Sequence, residues 1–285
     1  MVMISYRKLQ HEDYADILDI SKNIWGGSDY LPELFHKWVD DRGLFIGAID
    51  DEKNKIIGVA KFSILHDGSG WLEGLRVHVE YRGLKIARGL SEKMLELAKE
   101  EVAKGNVNKI AFSSHVSNKE SISLMYKLGF KLKQQHVLVT KEYDALSLSI
   151  TKKDFDVEKW DISFDEFVNH EYFKKRDNIF PLAFVFQEPT RALYDELLEN
   201  NSFISINGYK GVVKFKGEIN FVCFDDKFEA INTFMNYYLF TYKFKDVEPP
   251  MTYVIPEDVE LINKFKEEKF EAWYDWKPDY YYFVY

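Results

Sequence analysis
The chain has 285 residues, 46% of them hydrophobic and 30% charged, the balance of a folded globular protein, long enough for two domains; 16% aromatic residues argue for a densely packed interior. A formal net charge of −9 argues against general attraction to nucleic acid or to an anionic membrane surface, so the expected partner is small or neutral. No apolar run approaches the ~20 residues that span a bilayer, the start MVMISYRKLQ lacks the apolar core of a secretory signal, and the single Cys223, among apolar neighbours, excludes an internal disulfide. These features read as a cytoplasmic protein, monomer or homodimer, and the scattered histidines offer no metal-ligand spacing.

In chain order, MISYRKL reads as a strand and HEDYADILDISKNI and LPELFHKWVDD as helices. LFIGAID and IIGVAKFSIL form a hairpin across a charged turn, and DGSG turns the chain into a third strand, WLEGLRV. ARGLSEKMLELAKEEVAK carries apolar residues at helical spacing, Leu90, Met94, Leu95 and Leu97, with Glu92, Lys93 and Lys99 on another face. KIAFSSHV is a strand, NKESISLMYKLGF a short helix ending at Gly129, and KLKQQHVLVTKEY a strand. The second half offers helices in SFDEFVNHEYFKKR, TRALYDELLEN, KFEAINTFMNYYLF and PEDVELINKFKEE. Its strands are FPLAFVF, SFISI, GVVKF, EINFVCF, MTYVI and the aromatic tail YYYFVY. From the three consecutive strands onward this order repeats the first half, which suggests an internal duplication with a linker near TKKDFD and domains at 3–143 and 155–285.

The chemistry concentrates in YRGLKIARGL, Tyr81–Leu90, where a strand feeds a helix through a glycine turn. A helix N-terminus leaves backbone N–H groups unpaired and carries partial positive charge, so it suits an anion. Arg82, Lys85 and Arg88 add cations, and the small Gly83 and Ala87 allow close approach of a phosphate oxygen. The bland alternative is a surface turn with a solvated basic face.

This stretch resembles the acyl-CoA loop of the GNAT N-acetyltransferase superfamily, R/Q-x-x-G-x-G/A. Arg82 and Ala87 match its ends, Lys85 stands at the usual glycine, and Val79 stands where many members have proline. Asn118–Phe130 resembles the family segment N-x-x-A-x-x-x-Y-x-K-x-G-F at Asn118, Gly129 and Phe130. A shorter likeness, around WLEGLRV, is to histidine N-acetyltransferase-like proteins. The resemblance covers the first half and implies the α/β GNAT fold, a mixed central sheet flanked by helices, here in tandem with a degenerate second copy. It implies acetyl-CoA as co-substrate and no metal. The phosphates would lie on Arg82, Gly83, Leu84, Lys85, Ile86, Ala87 and Arg88, and the pantetheine along the backbone of Leu75, Arg76 and Val77 with Asn118 nearby.

Acetyl transfer from a thioester to an amine requires a base, a polarised carbonyl and a proton for the thiolate. Glu73, expected between Trp71 and Leu75 on one strand face, is the candidate base or ammonium anchor, with a simply exposed carboxylate as the bland reading. The family's thiolate acid would fall in register on Met125; Tyr126, one residue on, is the candidate acid, rotated by about 100°. His115, Asp29 and Glu33 are candidate acceptor contacts, the acceptor being a small-molecule or peptide amine. In the second half CFDDKF sets Asp225 and Asp226 where a phosphate would sit, so that copy is expected to bind no CoA. The competing function is a degenerate domain serving as an acyl-CoA sensor or scaffold.

Overall fold
The computed structural model describes residues 3–143, 149–215, 219–242 and 249–285. Contacts divide them into two units: the first holds the chain up to Phe112 with Ser123–Lys131 and Val284–Tyr285, the second Ser113–Ile122 and Leu132–Phe283.

In chain order the elements begin with β1 (Ile4–Lys8), α1 (Tyr14–Ser21), α2 (Leu31–Asp40), β2 (Gly43–Asp50), β3 (Lys55–Ile64) and β4 (Ser69–Val77). There follow α3 (Ile86–Ala103), β5 (Lys109–His115), α4 (Lys119–Lys127) and β6 (Lys131–Thr140). The short turns dictate antiparallel neighbours, and β1–β2, β2–β3 and β3–β4 pair that way. The long α3 crossover brings β5 in parallel to β4, which makes the sheet mixed. One face is covered by α1 and α2 through Ile17, Ile20, Leu31, Phe35 and Trp38 against Phe45, Ile49 and Val59. On the other face the backbone of Gly58 lies close to Ile86 and Leu90 of α3. The buried row of α3 is Leu90, Met94, Leu95 and Ala98, and the predicted Leu97 is only half-buried. The first predicted helix is shorter than expected, because His11–Asp13 form a separate 3-10 turn.

Gly89 marks the closest approach of α3 to β1, since a Cβ there would stand 2.1 Å from the Tyr6 hydroxyl. Alanine ordinarily stabilises a helix interior by roughly 1 kcal/mol over glycine, whereas forcing a group into a filled site costs roughly 1–3 kcal/mol. The atom met is the far end of the half-buried Tyr6 side chain, which can swing aside, so Gly89→Ala is expected to change stability by less than about 1 kcal/mol in urea titrations, and Tyr6→Phe/Gly89→Ala to be more stable than Gly89→Ala.

The second unit continues with β7 (Val157–Lys159), α5 (Phe164–Val168), α6 (Glu171–Lys174), β8 (Phe180–Leu182), β9 (Val185–Gln187) and α7 (Arg191–Glu199). Next come β10 (Phe203–Ile206), β11 (Tyr209–Lys214), β12 (Asn220–Cys223), α8 (Phe228–Tyr242), β13 (Met251–Val254), α9 (Val259–Glu267), β14 (Glu271–Ala272) and β15 (Tyr280–Val284). Apart from the two-residue β14 between α9 and β15, the order β10–β11–β12–α8–β13–α9–β15 repeats the strand and helix order of the first half. One difference is physical: β12 ends a separate four-stranded sheet, β12–β11–β10–β7, while β13 pairs with β6. Two expected elements are divided. The helix over SFDEFVNHEYFKKR breaks at Asn169–His170, where His170 Nδ1 accepts the Tyr172 N–H and caps α6. FPLAFVF is a hairpin, β8–β9, turning at Ala183 with φ 55°. Tyr280, Tyr282 and Phe283 of the tail are buried, as a sheet core requires, and burial pushes the Cys223 thiol up, as expected of an inert cysteine. Among the described residues no helix is long and apolar enough to cross a membrane, and no group of three or more His, Cys, Asp or Glu side chains is placed to hold a metal.

Candidate functional site
Strand β4 pairs with β5 only over Ser69–Trp71 and Lys109–Ala111. Beyond that point it runs on to Val77 with β3 on one side and, among the described residues, no strand opposite it on the other. Such an edge presents unpaired backbone groups to an extended ligand. Against β3 the register slips, because Glu73 faces Lys61 and Arg76 faces Val59, so Gly74 and Leu75 together oppose one residue, Ala60. Gly74 makes this bulge possible with φ +65°, and a side chain there would meet the Trp38 ring at 2.5 Å.

The bulge corrects the expected surroundings of Glu73. Cross-strand partners share a face, and Lys61 and Val59 are two residues apart, so Glu73 lies on one face with Arg76, on the side of α1 and α2, and Leu75 is not its same-face neighbour. Trp71, opposite Ser63, keeps its expected place on the face of Glu73, but the cross-strand neighbours of the carboxylate are polar. Glu73 accepts a hydrogen bond from Ser63 Oγ and lies close enough to Lys61 to support its charge. Lys61 is itself buried, donating to the Trp38 carbonyl at 3.2 Å and the Arg42 carbonyl at 3.4 Å, near the C-terminal end of α2. Burial lowers its pKa against the pull of Asp41 and Glu73. Lys61 and Ser63 carry no local sequence signal; their positions on β3, directly and diagonally across from Glu73, are what finds them.

After β4 the chain enters the loop through Tyr81, whose hydroxyl donates to Asp50 Oδ2 at 2.8 Å and accepts from Lys53 Nζ at 3.0 Å. That bond holds the Asp50 carboxyl below its usual range and fixes the loop to the β2–β3 turn. Arg82, Gly83, Leu84, Lys85 and Arg88 are exposed, Ala87 is half-buried, and Ile86 is buried against the sheet. Arg88 is paired with Glu92 at 2.8 Å one turn on, whereas no hydrogen bond or ion pair holds the side chains of Arg82 and Lys85 among the described residues. The amides of Ile86, Ala87 and Arg88 begin α3 and have no acceptor within their own helix.

Lys85 occupies the left-handed region, φ 63° and ψ 16°, immediately before α3. This is the conformation glycine adopts without penalty, at a cost to other residues of roughly 1–2 kcal/mol, so the backbone path survives the substitution and a cation is added to it. Lys85→Gly is expected to leave the unfolding midpoint in urea unchanged or raised, while calorimetry with acetyl-CoA shows weaker binding that becomes less salt-dependent.

Asp29 and Arg76 form one unit. The Asp29 carboxylate is buried and receives Arg76 Nη2 at 3.1 Å and Nε at 3.2 Å, and the Arg76 Nη1 donates to the Leu75 carbonyl. The expectation of a free Asp29 awaiting a cationic amine is thereby corrected: its charge is matched inside the protein. Glu33 is exposed in the first turn of α2. On α4, Met125 is buried and Tyr126 is 49% exposed, as the 100° rotation between neighbours requires.

Asn118 and His115 belong to the second unit. Asn118 donates to Ser114 Oγ at 3.2 Å ahead of α4. His115 Nδ1 accepts the Ser117 N–H at 3.2 Å, which leaves the proton on Nε2, 3.8 Å from the buried Asp279 Oδ2. Burial lowers the His115 pKa and pushes Asp279 up to about 6. Ahead of α8, Asp225 accepts the Lys210 N–H at 2.6 Å, and Asp226 takes Arg176 at 2.9 Å and 3.2 Å. A cavity of about 290 Å³ lies there, lined by His170, Lys175, Phe224, Asp225, Asp226 and Lys227.

Residues 8–130 match the model of the Acetyltransferase (GNAT) family. A histidine N-acetyltransferase of Xenopus tropicalis is 28% identical over 110 residues, 38% of this chain and 34% of that protein. That of Scomber australasicus is 26% identical over 142 residues, 50% of this chain and 41% of that protein. The chain thus spans well under half the length of these curated relatives. Over its whole length the fold is that of a putative acetyltransferase from Pyrococcus horikoshii, with TM-score 0.56, 13% identity, and coverage of 99% of this chain and 89% of that one. A second, from Thermoplasma acidophilum, gives TM-score 0.52 and 15% identity over 98% of this chain and 91% of that one.

Proposed function
We propose that the GNAT domain moves an acetyl group from acetyl-CoA to a primary amine by direct attack, without a covalent enzyme intermediate. One observation carries the reading: a bulged strand edge, open from Glu73 to Val77, leads through Tyr81 into two unpaired cations and the free amides of a helix start. Those amides, with Arg82 and Lys85, suit the charge of a pyrophosphate. The backbone of Leu75, Arg76 and Val77 suits pairing with the pantetheine amides, and an N–H of this edge can polarise the thioester carbonyl.

Glu73 takes a proton from the bound acceptor ammonium, directly or through a water, and the neutral amine then attacks the thioester carbonyl, so that the new C–N bond forms and the C–S bond breaks. Tyr126 remains the candidate acid for the departing thiolate. The names of the curated relatives favour a free amino acid as acceptor. The second copy binds no CoA in this reading, because Asp225 and Asp226 stand at the corresponding turn. A second reading, an acyl-CoA sensor, is favoured by Met125 standing where the family acid would be. An amine panel with acetyl-CoA, read by release of CoA thiol and by product mass, tests the choice: transfer supports the enzyme, and CoA binding without transfer to any amine supports the sensor.

A further inference from the structure
The segment between α1 and α2 holds two large rings at the surface, Trp25 at 62% exposure and Tyr30 at 41%. Trp25 has a left-handed backbone, φ 46°, and Gly26 and Gly27 follow at φ 70° and 97°. A bulky exposed residue in that region is strained and buries little apolar area in return. Ser28 Oγ fixes the turn by donating to the Trp25 carbonyl at 2.8 Å.

The protein side of the rings rests on Arg76. Its guanidinium carbon lies 4.6 Å from the Trp25 ring centre and 5.2 Å from that of Tyr30, and the two rings, 5.8 Å apart, are inclined at 37°. Asp29 matches the Arg76 charge from below, so the shelf carries no net charge. Arg76 and Glu73 share one face of β4, and both rings therefore stand on the same side of the strand as the candidate base. Two rings offer a side chain's worth of area, far below the roughly 800 Å² per partner of a stable protein interface. With Asp29 already paired, the shelf has no carboxylate to draw a polyamine, whereas flat π-faces favour another ring.

We propose that Trp25 and Tyr30 select the acceptor, stacking against the flat ring of an amine whose side chain is aromatic or heteroaromatic, with Arg76 and Asp29 as the positioning pair beneath them. This rests on the acetyltransferase reading above. The test compares kcat and KM for histidine, phenylalanine and alanine as acceptors in wild type, Trp25→Ala, Tyr30→Ala and Trp25→Phe. Wild type is expected to favour the ring-bearing acceptors by about 10-fold in kcat/KM, the size of stacking selectivity. Each alanine variant raises their KM by about 10-fold, with acetyl-CoA KM unmoved, and Trp25→Phe restores most of it. Equal changes for alanine and the ring-bearing acceptors, or none, overturn the proposal while leaving the transferase reading intact. Calorimetry of the CoA-loaded protein with N-acetyl-phenylalanine and N-acetyl-alanine reads the shelf without turnover. Tighter binding of the former, lost in Trp25→Ala, supports the shelf even if no amine is acetylated; equal binding removes it.

Discussion

Glu73→Gln lowers kcat by about 10²–10⁴, the range typical of a lost general base, while acetyl-CoA affinity holds. The substitution is conservative in this setting. The glutamine carbonyl still accepts from Ser63 Oγ, and Lys61 keeps its bonds to the Trp38 and Arg42 carbonyls. The rate defect shrinks as pH rises toward the pKa of the acceptor amine, because alkaline solution supplies amine already deprotonated. Steady-state kinetics of wild type and variant between about pH 6 and pH 10 check this, a span that reaches toward ordinary amine pKa values. A rise in amine KM with kcat intact would assign Glu73 the role of ammonium anchor, and unchanged constants would place it outside the mechanism.

Arg82→Ala/Lys85→Ala weakens acetyl-CoA by about 100-fold, since each cation contributes a charge-assisted bond to phosphate of the order of a tenfold effect or more. Both side chains are exposed and unpaired in the free protein, so the variant disturbs no internal contact and folds normally. The loss is larger at low ionic strength and narrows in salt, where exposed charges are screened. Titration calorimetry at two salt concentrations measures it. Unchanged affinity would move the phosphates elsewhere.

Much of the candidate site is legible because its signals are local. Glycine and three cations ahead of a helical apolar row mark the loop within ten residues, and the strand order follows from turn lengths. The bulge at Gly74 carried a weaker signal, a glycine inside a strand pattern, and reading it would have corrected the neighbours of Glu73. The Asp29–Arg76 pair was beyond local reading, since the partners are 47 residues apart and each alone looks like a solvated charge. Lys61 has the same character: a lysine in an apolar strand run reads as an outward residue until the carbonyls of Trp38 and Arg42 are seen to receive it. In the second half the break at His170 and the hairpin at Ala183 were missed because a side-chain cap and a single left-handed residue leave the apolar periodicity almost intact.

The most direct measurement is acetyl transfer itself. Purified protein is mixed with acetyl-CoA and each amine of a panel that begins with free amino acids, and both CoA thiol release and the mass of the amine are followed. The account predicts amine-dependent thiol release matched by an acceptor heavier by one acetyl group, abolished with acetyl-CoA omitted and strongly reduced in Glu73→Gln. Saturable acetyl-CoA binding with no acetylated product from any amine would contradict it and leave an acyl-CoA-binding domain in its place.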